Sequence, residues 1–273
     1  MNAVTATDAV VRYGNVVALA KSSFSIPIGG VTALIGPNGS GKSTVLNVIS
    51  GLTVPQEGGL QVAQIDGRSR WVSYVLQSTK VSESLHLSVR EVVTMGRYAS
   101  AGLRRRLSSE DQESIERAMA RTGTKGFAGR HIHELSGGQR QRVFIAQGLA
   151  QEHDVLLLDE PMTGLDIPSI QAISEVIEEE RSEGCSIVMT THRLAEAEQA
   201  DHVILLSGRV VAEGPPAEVL TAEYLTEAYG SSVLRVEGGQ LFFDDPHHRP
   251  TGDPHLHRDR TIHPEPNPAD HHP

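Results

Sequence analysis

The spacing of apolar positions changes several times along the chain, and each change predicts an element. Between Ala9 and Ile28, short apolar runs predict a hairpin of Ala9–Arg12 and Val16–Leu19 around Gly14-Asn15. A third strand follows over Phe24–Ile28 and is closed by Gly29-Gly30. Val31–Ile35 is a continuous apolar run and reads as a buried strand; Ser43–Ser50 has helical spacing, with Gly51 as its C-cap. Leu60–Ile65 and Trp71–Leu76 read as further antiparallel strand. From Ser88 to about Leu149 the period is helical, with a capping box of Ser88 and Glu91 and a second helix over Ser109–Thr122. Gly123, Gly126 and Gly129 then mark a loop before a helix that Ser136 caps and that runs to about Ala150.

The next run, Val155-Leu156-Leu157-Leu158, is unbroken aliphatic, as in a central parallel strand covered on both faces. A turn at Thr163–Asp166 leads to a helix over Ser169–Arg181, whose Glu178-Glu179-Glu180 run is its wet face. Ser186–Thr191 is again β-rich. His202–Leu206 and Arg209–Val211 form a final hairpin, Ala217–Tyr229 a helix, and Val233–Phe243 a marginal strand. From Asp244 onward, seven histidines alternate with seven prolines, and the composition predicts a disordered tail.

Composition narrows the function. At 273 residues the chain can bury a substantial core, and with 4% aromatic residues that core is aliphatic. A formal net charge of -10 argues against a general nucleic-acid binder. Arg104-Arg105-Arg106 is the one basic run and reads as a solvated loop or helix end. The single cysteine, Cys185, excludes an intrachain disulfide and suits a reducing compartment. No run of 18 apolar residues is present, and Met1–Asp8 has no signal-sequence pattern, so the expectation is a protein that does not itself cross a membrane.

Three stretches and three single residues carry chemistry. Gly36-Pro37-Asn38-Gly39-Ser40-Gly41-Lys42-Ser43-Thr44 fits G-x-x-x-x-G-K-[ST] between a predicted strand and a predicted helix. Its glycines let backbone N–H groups close on a polyphosphate, Lys42 reaches the β- and γ-phosphates, and the Ser43 hydroxyl can ligate Mg²⁺. A glycine-rich turn that binds nothing is the bland reading, and the matching context disfavours it. Asp159 and Glu160 end the aliphatic strand where α/β sheets bind ligands: Asp159 is suited to hold Mg²⁺ through water, Glu160 to polarise a water for attack on a γ-phosphate. Leu135-Ser136-Gly137-Gly138-Gln139 is a second helix start open to an anion, but it has no lysine of its own. Tyr13 can stack on a base, Gln77 can ligate Mg²⁺ or the attacking water, and His192 ends a strand at the same sheet edge; each alone is more often structural.

Together and in this order, these motifs resemble the ATP-binding subunit of ABC transporters over roughly Ala3 to Gly230. The resemblance implies an α/β fold: a P-loop NTPase core with an antiparallel β subdomain and an inserted α-helical subdomain at about 88–150. A short extension (231–243) and the His/Pro-rich tail (244–273) follow. It implies ATP and Mg²⁺ as ligands, Tyr13 against the adenine, and two copies packed head to tail. The Ser136-Gly137-Gly138-Gln139 helix start of one copy would then complete the ATP site of the other, His192 would contact the γ-phosphate, and Asp166 would link the two sites. Partners implied are an integral membrane permease and, indirectly, an extracytoplasmic solute-binding protein, with the chain peripheral on the cytoplasmic face. Two motif positions depart from the family pattern. Gln77 follows Leu76 where a proline is common, and Arg193 follows His192 where an acid is common. Val89 to Tyr98 resembles the manganese and zinc importers, and the histidine tail leans that towards zinc. An ABC importer subunit for another small solute, a soluble ABC ATPase acting on nucleic acid or ribosomes, and a metal-storage protein working through its tail are the competing readings.

Overall fold

In the N-terminal part the structure has fewer and longer strands than the alternation suggests. The computed structural model describes residues 1–65, 68–69, 71–77, 86–101, 106–230, 233–235 and 241–243. Strands β1 (Asn2–Tyr13) and β2 (Val16–Pro27) pair antiparallel around Gly14-Asn15, so the expected third strand at Phe24 is the far half of β2. The polar interruption Lys21-Ser22-Ser23 does not break β2 because its groups find partners. Lys21 pairs with Asp8 at 2.9 Å, and Ser22 Oγ donates to the Ala20 carbonyl and accepts from Val210 N. A bulge at Asp8 (φ 50) absorbs the change of register.

Strand β3 (Gly30–Ile35) enters the phosphate-loop motif, and α1 (Lys42–Ile49) leaves it; Ser50 is its C-cap and Gly51 follows. β4 (Glu57–Val62) returns to complete the antiparallel sheet β2-β1-β4, and β5 (Gln64–Ile65) with β6 (Arg68–Ser69) forms a small hairpin. β7 (Val72–Val75) does not extend this antiparallel sheet. It lies parallel beside β8 (Val155–Leu158). Parallel neighbours need a long crossover, and the helical stretch between them supplies it. The period of a four-residue strand carries no information about which sheet it joins.

That crossover holds α2 (Val89–Ala101), α3 (Ser109–Arg121) and α4 (Gly137–Ala150), which share a core including Val92, Val93, Met119, Ile132, Val143 and Ala146. Ser88 and Glu91 form the expected reciprocal cap. α3 has a second one, Ser108 with Asp111. Arg104 and Arg105 lie outside the described residues, as does the tail from Asp244.

After β8 come α5 (Ile167–Ser182), β9 (Ser186–Thr191), α6 (Leu194–Glu198), β10 (His202–Leu206) and β11 (Val210–Gly214). The expected helix over Ala217–Tyr229 is two, α7 (Pro216–Val219) and α8 (Ala222–Tyr229), the second capped by Thr221. The expected strand over Val233–Phe243 is a hairpin of β12 (Val233–Arg235) and β13 (Leu241–Phe243).

The main sheet runs β11-β10-β3-β9-β8-β7, parallel except for the β10–β11 edge. Alternate residues feed two cores. Val31, Ala33, Ile35, Leu156, Leu158, Ile187, Met189, Val203 and Leu205 face α5, α6 and α8. Leu34, Val155, Leu157, Val188, Ile204 and Leu206 face α1 and the antiparallel sheet. Burial on both faces is why these strands read as continuous apolar runs. It also sends the C-terminal ends of β3, β7, β8 and β9 to one edge.

Candidate functional site

The phosphate-loop motif is shaped by close approach to β2 and by a left-handed residue. Gly41 has φ 102, and a Cβ there would stand 2.9 Å from the Ala18 carbonyl oxygen, so no other residue fits without displacement. Lys42 is 7% exposed, and its Nζ donates to the carbonyls of Gly36 (2.8 Å) and Pro37 (3.1 Å). Among the described residues no carboxylate is within salt-bridge reach of it. Burial depresses its pKa, opposed by the more distant Glu160 and Asp159. Ser40 Oγ is buried without a hydrogen-bond partner. A buried ammonium without a counter-ion and an orphan hydroxyl in one loop are uncompensated groups that an anion would satisfy. Asn38, Gly39 and Ser43 face solvent, so the Ser43 hydroxyl is open to a cation.

Tyr13 ends β1 with its side chain 47% exposed, and its hydroxyl sits 3.3 Å from Thr53 Oγ1 and 3.5 Å from Asn47 Nδ2. These bonds hold the ring beside the C-terminal part of α1 and leave aromatic surface open.

At the ends of β7, β8 and β9, three sequence-predicted residues converge. Gln77 Nε2 donates to Glu160 Oε2 at 3.1 Å, and His192 Nδ1 lies 4.0 Å from that same oxygen. The Gln77 side chain thus uses its amide N–H on Glu160 and keeps its amide oxygen for a cation. Glu160 itself is left-handed, with φ 46, an uncommon conformation for a non-glycine residue. Thr190, which the sequence reading passed over, holds it there. The Thr190 hydroxyl accepts from Glu160 N (2.7 Å) and donates to Asp159 Oδ1 (2.6 Å). Tyr74, also passed over, donates to the other Asp159 oxygen at 3.4 Å; burial, then the Asp159 charge, pushes its pKa up. One hydroxyl therefore sets the positions of both acidic residues. The only sequence signal for Thr190 is a hydroxyl directly after the apolar run Ile187-Val188-Met189, near the strand end.

Ser136, Gly137, Gly138 and Gln139 form the start of α4. Ser136 Oγ accepts from Gln139 N, and Gln139 Oε1 accepts from Ser136 N. No hydrogen bond among the described residues joins this helix start to residues 36–44, Gln77, Asp159, Glu160 or His192. Asp166 instead caps α5: its Oδ1 accepts from Ser169 N at 3.0 Å, and these bonds to Ser169 hold its carboxyl below the usual range. Gly138 packs against this cap, since a Cβ there would meet Ser169 Oγ at 2.4 Å. The sequence reading gave Gly138 to ligand access alone; the structure adds a packing reason.

Comparison with known proteins agrees with this geometry. The family profile described as ABC transporter matches residues 19–163. The manganese transport system ATP-binding protein MntA of Synechocystis is 38% identical over 226 residues, 81% of this chain and 87% of that one. The zinc transport system ATP-binding protein TroB of Treponema pallidum is 37% identical over 85% of this chain and 88% of its own. Among solved structures, a chain of an inward-facing ABC transporter described as of the metal-chelate type aligns with a TM-score of 0.74. It is 27% identical, over 89% of this chain and 96% of that one. A dimeric bacterial ABC transporter cassette aligns at 0.67 and is 26% identical, over 78% of this chain and 98% of that one. The convergent strand ends, the loop built for an anion and a profile match over more than half the length lead to one assignment: the chain belongs to the ABC transporter family, as an ATP-binding and ATP-hydrolysing subunit.

Proposed function

We propose that the chain energises import of a divalent transition metal, zinc or manganese, through a separate membrane permease, and that it works as a head-to-tail pair of copies. The metal rests on relatives named for manganese and zinc transport that align over more than four fifths of the chain. The pairing rests on a division between two anion sites: residues 36–44 have the lysine, Ser136–Gln139 have the open helix start, and no hydrogen bond among the described residues joins them. The family resemblance implies a peripheral place on the cytoplasmic face of the membrane and, indirectly, an extracytoplasmic solute-binding protein as a further partner. Consistent with a separate permease, no helix among the described residues is long and apolar enough to cross a membrane.

In this reading the backbone of Gly36–Thr44 and the Lys42 ammonium hold the β- and γ-phosphates, and Tyr13 stacks on the adenine. Ser43, the Gln77 amide oxygen and Asp159 would hold Mg²⁺, which would supply neutralisation of the charge developing on the phosphates. Glu160 orients the attacking water and takes its proton. Gln77 and Thr190 fix the position of Glu160. His192 reaches the γ-phosphate from the end of β9. Ser136, Gly137, Gly138 and Gln139 of the second copy close over the same phosphates, and Asp166 couples the two sites through α5. Residues 1–230 form the ATPase unit, with 88–150 its helical part; 231–243 and 244–273 are additions to it.

The observation that carries the mechanism is Glu160, held in a left-handed conformation with Gln77 and His192 both facing its carboxylate. Metal uptake by a strain lacking this chain, complemented with wild type or with Glu160→Gln, tests the function. Wild type is expected to restore uptake of zinc or manganese and the variant to fail. Unchanged uptake of every divalent metal in the deletion strain would refute the cargo assignment.

A further inference from the structure

At the other end of the sheet, three side chains outside the ATP machinery point at one another. His153 precedes β8, Glu180 lies near the end of α5, and Cys185 precedes β9. All three side chains are buried or nearly so. A ring nitrogen of His153, a Glu180 carboxylate oxygen and Cys185 Sγ lie within 4.8 Å of one another, on the wall of a cavity of about 590 Å³. We propose that His153, Glu180 and Cys185 form a binding site for a thiophilic divalent transition metal of the zinc class, distinct from the nucleotide-bound Mg²⁺.

The donor set is a borderline-soft one: imidazole nitrogen, carboxylate oxygen and sulfur suit Zn²⁺ and not Mg²⁺. The groups around it are arranged as around a metal. His153 Nδ1 lies 2.8 Å from the Gln151 carbonyl oxygen, so an Nδ1–H bond there orients the ring and leaves Nε2 as the inward atom. The other Glu180 oxygen accepts from Arg121 Nη1 at 2.6 Å, which fixes the carboxylate plane. His153 Nε2 lies 2.8 Å from Glu180 Oε2. Three arginines line the cavity against four carboxylates, so its walls do not repel a cation.

Zinc–ligand distances of about 2.0–2.3 Å put adjacent donors about 3.3–3.5 Å apart, so the His153–Glu180 contact must open by roughly half an ångström. The Nε2 and Sγ protons leave to solvent as the metal enters, and a water from the cavity takes the fourth position. The three ligands stand at the bases of the elements whose other ends carry Asp159 and Glu160 (β8), Asp166 (α5) and His192 (β9). A metal there would pin those elements together.

Cys185 is the only cysteine in the sequence, and this makes the test specific. The purified full-length chain is titrated with Co²⁺ and followed by absorption. One equivalent is expected to give an intense thiolate-to-cobalt charge-transfer band that Zn²⁺ abolishes by displacement. The histidine-rich tail can bind Co²⁺ but cannot produce that band. Cys185→Ser should remove the band, and His153→Gln should weaken the affinity behind it by at least about 10-fold. If either variant misfolds, alkylation of Cys185 in the wild-type chain still decides: Zn²⁺ should slow it. Co²⁺ uptake with no thiolate band, or alkylation at the same rate with and without Zn²⁺, would overturn the site. Neither result bears on the transport assignment, because no permease or nucleotide is involved.

Discussion

Gln77 and Glu160, each two residues past the end of one of two neighbouring parallel strands and 83 residues apart, are joined by a 3.1 Å hydrogen bond from the Gln77 amide to the Glu160 carboxylate. The bond survives replacement of Glu160 by glutamine, whose amide oxygen still accepts, whereas the capacity to take a proton does not. Glu160→Gln should therefore bind ATP with an affinity within a few-fold of wild type and lose about 10²–10⁴ in hydrolysis rate. Gln77→Ala leaves the base chemically intact but loosely held, and a loss of about 10- to 100-fold is expected. Phosphate release beside nucleotide-binding measurements separates the cases. A Glu160→Gln chain turning over at the normal rate would remove the base assignment.

Lys42 carries its charge in a buried loop where its acceptors are two backbone carbonyls. Charge-assisted hydrogen bonds to phosphate are worth about 1.5–3 kcal/mol each. Lys42→Ala should therefore weaken ATP binding by about 10- to 100-fold or more, while the nucleotide-free melting temperature changes little. Calorimetric titration with a non-hydrolysable ATP analogue measures the first and a thermal melt the second. Undiminished affinity would contradict the phosphate-loop reading.

How much of this was legible follows from what each residue does. Lys42, Asp159 and Glu160 are visible because a phosphate-loop pattern and a pair of carboxylates ending an aliphatic run each point to one chemistry, and His192 only through the order of motifs around it. Thr190 was not, because a threonine in a β-rich run is unremarkable until its hydroxyl is found bridging Glu160 N and Asp159. The parallel placement of Val72–Val75 was hidden for a related reason. Four residues of alternating burial fit either sheet, and only the long crossover to Val155 decides between them. Asp166 was assigned through the family pattern, while the N-cap it makes on Ser169 was within reach of local rules and went unread.

Asp111 offers a test of the helical part by pH. Its carboxylate accepts from Ser108 N and Ser108 Oγ on one oxygen and from Arg97 Nε and Nη2 on the other. The Ser108 backbone bond first, and then Arg97, lower its pKa to about 2. A depressed carboxylate stabilises the fold fully above its unfolded pKa near 4, and that contribution disappears as pH falls towards 2. Asp111→Asn should melt several degrees below wild type at pH 7, with the gap closing on acidification through that window. Thermal melts followed by circular dichroism at pH 7, 4 and 2.5 check it; a gap that stays constant would show that Asp111 acts through packing alone.

The two glycines of the α4 start separate packing from ligand access. A Cβ on Gly138 would stand 2.4 Å from Ser169 Oγ and 3.3 Å from Asp166 Oδ1, and Ser169 is a short side chain beside the α5 cap with little room to yield. Gly138→Ala should therefore destabilise the chain by about 1–3 kcal/mol and disturb Asp166. A Cβ on Gly137 meets nothing within 4 Å in the same chain. Gly137→Ala should fold with stability within about 0.5 kcal/mol of wild type, or slightly above it, since alanine favours the helix. The methyl group would then matter only to what approaches the open helix start from outside. If that is the nucleotide of a second copy, Gly137→Ala combined with Glu160→Gln should lose the ATP-dependent dimer that Glu160→Gln alone accumulates, as read by sedimentation with Mg²⁺ and ATP. An undiminished dimer would mean that this helix start does not face the partner's phosphates, and the head-to-tail pairing would have to be abandoned.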